Sequence, residues 1–230
     1  MRHLLLLIAV LCTSCQSTYE AEAAADGGAV VGQQVGVQVN KKPAAITRRT
    51  FDPRNPPPEM PPLSRNEAAV THSAYGVGAQ VQVVVLHEDK SGGGQVSSEM
   101  RIESVKVDTT LGVTVWLPKN ASKPLTAHEE GHREISEMFY EEAEGIAREV
   151  ARPYLGRTIR GTGRTPEAAR EAAMTKAIGE INGKYMSRTQ IPSSRVNELF
   201  DRITDHGRNA RVTVEEGIKR ALEQYRKEKQ

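Results

Sequence analysis

Cysteine is nearly missing from this chain: its 230 residues hold two, Cys12 and Cys15, both within the first fifteen. Everything after them must fold without a disulfide and without a thiolate as nucleophile or metal ligand. Aromatic residues are scarce as well, with three Phe, one Trp and six Tyr, which points to a modest core. Charge of one sign is absent in excess. The net charge is +2, and no basic stripe interleaved with aromatics occurs, so the sequence gives no argument for nucleic acid and no nucleic-acid partner is expected. Long apolar runs are lacking too. The run Leu4–Leu11 is eight residues, too short to span a bilayer as a permanent helix.

That run nevertheless has a reading. Arg2 and His3 precede it and Cys12-Thr13-Ser14-Cys15 follows, the layout of a secretory signal over residues 1–15. A cysteine just after small residues resembles the bacterial lipoprotein signal, which implies lipidation of Cys15 and anchoring to the outer membrane from the periplasmic side. Cys12 departs from that pattern, where Leu is usual; an ordinary signal cleaved nearby is the alternative. Residues 16–66 read as a tether. Their last part holds five prolines in the seven positions from Pro56 to Pro62, which favours a stiff extended spacer. Val35, Val37 and Val39 alternate and allow one strand within it.

From residue 67 to 230 the patterning predicts one α+β domain. Val81, Val83 and Val85 alternate as in a strand; Met100, Ile102, Val105 and Val107 suggest a second with a bulge; Leu111, Val113 and Val115 suggest a third. Short turns between them predict a small antiparallel sheet of three to four strands. The period then becomes helical, predicting one long helix from Leu125 to about Tyr154. Gly156–Arg164 reads as a solvated connector. Thr165-Pro166 opens a second helix to about Met186, a third runs from about Pro192 to Thr204, and Thr213-Val214-Glu215-Glu216 caps a terminal one.

Inside the first helix lies His128-Glu129-Glu130-Gly131-His132, an H-E-x-x-H motif. Two imidazoles one turn apart can share a metal, with the glutamate between them as base. Chance produces it in roughly one or two chains per hundred of this composition. At about 100° per residue, both His fall on the stripe that carries Ile135, Phe139, Ile146 and Val150, and a cation would relieve the cost of burying them together. Glu129 lies on the rim of that stripe. Glu130, Glu134 and Glu137 fall on the far side, which removes Glu137 as a ligand. His72, His87, His206 and later carboxylates remain as third ligands, and His206 precedes Gly207 at a predicted helix end, a position suited to a cleft.

The segment from His128 to Ile135 and the segment Asp201-x-x-Thr204-x-His206-Gly207 together resemble a bacterial family of secreted zinc-dependent proteases, a domain of otherwise unknown function. The resemblance covers about residues 70 to 210. It implies a zincin-like fold, Zn²⁺ as cofactor and His206 as third ligand beside His128 and His132. The expected activity is hydrolysis of a peptide or protein substrate by a zinc-held water, with Glu129 as general base. Asp201 and Asp205 are candidates to orient His206, and Tyr185, Tyr154 and Tyr140 are candidate oxyanion donors. Phe200 stands where that family commonly has Tyr, and Asn209-Ala210-Arg211-Val212 replaces its usual tail. Those departures favour a non-catalytic zinc-binding envelope lipoprotein as the alternative. An amidase acting on cell-wall peptides is a further one, motivated by location alone.

Overall fold

The computed structural model describes residues 36–64, 67–91 and 94–230. The expected signal segment and Cys15 lie outside them.

One strand organises the domain. β4 (Gln95–Pro118) is 24 residues long and carries the antiparallel β3 (Val70–Ser91) along one edge. Along the other edge lie β5 (Thr158–Gly163), β1 (Gly36–Lys41) and β2 (Ala45–Phe51), each paired with its own stretch of β4. The two strands expected over 100–117 are therefore one. Thr109 and Thr110 interrupt the apolar alternation but supply no turn chemistry, and the ladder runs through them. The expected bulge is present: Gln82 faces Ser104 and Val83 faces Ile102, so Glu103 is the extra residue that shifts the buried phase.

The small antiparallel sheet expected from sequence is corrected to a five-stranded mixed one, because β1 and β2 pair parallel to β4. The chain reverses between β2 and β3 and again between β3 and β4, so β4 returns in the direction of the first two strands. The folded part accordingly begins before residue 67. Within the expected tether, the strand allowed by Val37 and Val39 is β1, whereas β2 was not expected, and Phe51 and Met60 pack on Trp116. Gly156–Arg164 is also corrected from connector to strand. Gly161 and Gly163 bring β5 so close to the next helix that a Cβ at Gly161 would lie 2.1 Å from the Ala169 carbonyl oxygen.

The long helix expected over 125–154 is broken at Glu142 into α1 (Lys123–Glu141) and α2 (Ala143–Ala151), followed by a short 3-10 turn. α3 (Pro166–Arg188), α4 (Gln190–Thr204) and α5 (Val214–Glu228) match the expected helices, with Thr165 and Thr213 as N-caps. Ala169, Ala173, Ala177, Ile181 and Tyr185 form the buried stripe of α3, and four of them join the main core beside Met100, Ile102, Val105 and Val107 of β4. A second core joins α1, α4 and α5 through Ile135, Leu199, Phe200 and Ile218. α1 belongs to both environments. One side is tied to β3, where the Tyr75 hydroxyl donates to the Ser136 carbonyl at 2.7 Å, and the other meets α4. That double attachment fixes the motif helix against a strand on one side and a helix on the other.

Candidate metal centre

Gly131 explains how α4 reaches the motif. A Cβ there would lie 2.7 Å from the Phe200 ring, so only glycine lets α4 approach α1 this closely. Asn197 and Asp201, four residues apart on α4, then face His132.

The hydrogen bonds determine where the ring protons sit. The Asn197 amide nitrogen donates to the Ser193 carbonyl at 2.9 Å, which leaves its oxygen to accept from His132 Nδ1 at 2.7 Å. The Thr204 hydroxyl donates to the Phe200 carbonyl at 2.7 Å and accepts from His128 Nδ1 at 3.3 Å. Both neutral rings therefore carry their proton on Nδ1 and turn a lone pair inward from Nε2. Those two nitrogens are 3.2 Å apart, and Asp201 Oδ1 lies 3.0 Å from His132 Nε2 and 3.2 Å from His128 Nε2. A tetrahedral ion with ligands at 2.0 Å has edges of about 3.3 Å, so this triangle matches one face of such a site. Three acceptors converging on one point require a cation between them: the His128/His132/Asp201 group could hold a metal ion.

Without a metal, protons serve that purpose. Burial opposes charge on His132, but the hydrogen bond and charge of Asp201 outweigh it and raise the imidazole above its ordinary 6.5. Burial likewise opposes ionisation of Asp201, yet the hydrogen bonds from His128 and His132 hold its carboxyl far below the usual carboxylate range. Glu129 is 4% exposed, and burial raises its carboxyl despite the opposing charge of His132 and a 2.8 Å hydrogen bond from the Thr71 hydroxyl. These groups line a cleft of about 290 Å³ between the start of β3, α1 and α4.

The third ligand expected from sequence is corrected in part. Asp201, read as an orienting group, stands in the donor triangle, and His206 stands beside it with Nδ1 3.4 Å from Asp201 Oδ1. That nitrogen is buried without a hydrogen bond and is not one of the three converging donors. His206 has φ 53° and follows Asp205 at φ 49°, a pair of side-chain-bearing residues in the left-handed region. Gly207 comes next at φ 78°, and a Cβ on it would meet His128 Cβ at 2.9 Å. Asp205 does not orient His206; it is exposed and pairs with Arg208. Tyr185, Tyr154 and Tyr140 all lie in the sheet core and none lines the cleft. His72 and His87 are exposed on β3 and are not in the donor group.

Two contributors escaped the sequence reading. Asn197 had a usable signal, being a polar residue one turn before Asp201 on a predicted helix. Thr71 had none, since it reaches Glu129 across 58 residues of chain. Glu130 is not simply solvated but is held by Arg48 of β2 at 2.6 Å, which ties the first strands to the motif helix. No protein-family model, curated protein or solved structure matches the chain. The family resemblance therefore rests on its two motifs.

Proposed function

We propose that the protein is a zinc-dependent peptidase of the bacterial envelope, with His128, His132 and Asp201 as the protein ligands and Glu129 as general base. The observation that carries this reading is the buried Glu129 carboxylate, held by Thr71 in the same cleft as the three converging donors. Bound zinc supplies Lewis acidity toward water and a peptide carbonyl. The chain's residues do the rest. Thr71 fixes Oε2, leaving Oε1 to take a proton from the attacking water and pass it to the leaving amine. Burial raises the proton affinity of Glu129, which suits a base working near neutral pH. Asn197 and Thr204 keep both imidazoles in the ligating tautomer. The paired H-E-x-G-H and D-x-x-T-x-H-G segments support the same assignment, and the signal-like N-terminus with Cys15 supports export and a lipid anchor. Among the described residues, no helix is long and apolar enough to cross a membrane.

The test is metal analysis of the purified protein beside Glu129→Gln, with both assayed on a broad peptide library. Wild type should bind one zinc and cleave, and the variant should keep the zinc and lose about 10²-fold or more in rate. A wild-type protein with no affinity for zinc would sink the assignment. A second reading, a non-catalytic zinc-binding envelope protein, is favoured by the lack of any tyrosine lining the cleft among the described residues. A zinc-loaded wild type inert toward the whole library would select it.

A further inference from the structure

Every charged side chain lining the cleft, apart from its histidines, is acidic: Glu67, Glu129, Glu198 and Asp201. Among the described residues, no lysine or arginine lines it. The ligand site itself is marked by the converging donors of His128, His132 and Asp201; the acids bear on what it selects. A divalent ion in the donor triangle would be offset by Asp201 and Glu129, so the charges of Glu67 and Glu198 would remain. Glu67 stands just before β3 at the start of one wall, a quarter exposed, with one carboxylate oxygen accepting from the Ser64 amide at 2.9 Å and the other 4.0 Å from His206 Nδ1. Glu198 lines the cleft from α4, three residues before Asp201. It pairs with Arg195 at 2.8 Å and lies 3.8 Å from Arg202, but those guanidiniums are outside the cleft, and exposed pairs of this kind are weak. The rest of the lining mixes apolar residues such as Val70 and Leu125 with polar ones such as Ser73, Ser194 and Asn197. A cleft whose fixed charges are of one sign raises the local concentration of ligands of the opposite sign.

We infer that this cleft selects substrates carrying an ammonium group beside the scissile bond, held between Glu67 and Glu198, and that it disfavours acidic peptides there. The inference rests on the peptidase reading for the class of substrate. The cleft's size of about 290 Å³ admits only the residues flanking one bond, so the cation is either a free α-amino group or a basic side chain at that position.

Amino-acid hydroxamates, which bind metal directly, test this without requiring turnover. The zinc-loaded full-length protein is titrated calorimetrically with lysine hydroxamate, norleucine hydroxamate and N-acetylnorleucine hydroxamate. Tighter binding of lysine than of norleucine by about tenfold assigns the cation to a side chain. Tighter binding of norleucine than of its acetylated form by a similar factor assigns it to the α-amine. Either preference should shrink in Glu67→Gln and further in Glu67→Gln/Glu198→Gln, with zinc stoichiometry as the check that both variants fold. Equal binding of all three probes to wild type would overturn the inference and leave the peptidase reading standing. A preference unchanged in the double variant would overturn it equally. Failure of the wild type to bind zinc would remove both readings together.

Discussion

The Phe200 ring lies flat on the His128 imidazole, with centroids 5.0 Å and planes 11° apart, and meets His132 edge-on at 5.1 Å. It is fully buried in the core shared by α1, α4 and α5, so the hydrophobic packing that joins these helices also packs against the rings of both histidines of the candidate metal site. Truncation by Phe200→Ala should cost about 3–5 kcal/mol in stability and weaken zinc binding. Phe200→Tyr tests the fit from the other direction. The ring tip already abuts Gly131, so an added hydroxyl has no space and should destabilise by about 1–3 kcal/mol. Chemical denaturation of both variants checks this, and a Tyr variant as stable as wild type would contradict the packing described.

Gly207 should resist replacement for two separable reasons. Its φ of 78° disfavours any side chain, and a Cβ would press on His128 at 2.9 Å. Gly207→Ala should therefore lose at least 1 kcal/mol and displace a ligand as well. Gly156→Ala, with a similar φ of 73° but open space around it, isolates the backbone part. Only the Gly207 variant should lower zinc affinity in a competitive chelator titration.

Asn197→Ala removes the acceptor for His132 Nδ1–H while leaving all three donors in place. Loss of such an orienting partner should weaken metal binding by about 10–100-fold. The buried N–H left unpaired should cost about 1–3 kcal/mol in the metal-free protein. An unchanged affinity would show that His132 is oriented by packing alone.

The pH dependence follows from the shifted groups. Asp201 is depressed below its ordinary 3.8, so its contribution is present above that value and lost as pH falls through the lowered one. Glu129 and His132 are raised above 4.5 and 6.5, so what they contribute is complete below those values and lost as pH rises through the raised ones. These three groups of the metal-free protein should thus contribute most to stability near pH 4 and lose part of that contribution as pH rises above 4.5 and again above 6.5. Zinc displaces the proton shared among the donors, so the gain in Tm on adding zinc should grow from pH 5.5 to pH 8. A gain independent of pH across that range would refute the competition.

Much of the site was legible in the chain because its parts are local. Two histidines four apart on an apolar stripe state their shared direction through helical phase alone, and the same phase excludes Glu137, which instead pairs with Arg133. The N-caps Thr165 and Thr213 were equally readable, since a cap acts within three residues. The choice between Asp201 and His206 was not, because it depends on where Phe200, Gly131 and Gly207 let α4 settle against α1. Nor could the sheet be read from composition. Residues 45–51 look like spacer by themselves and become a strand only by pairing with β4, more than 60 residues away in the chain. What the amino-acid sequence determined by itself, then, is the helix of the candidate metal site, the bulk of the other helices and the cysteine-free core. The tertiary structure alone decided the mixed sheet, the buried carboxylate held by Thr71 and Asp201 as the third donor, because each depends on contacts between segments that local propensity does not encode.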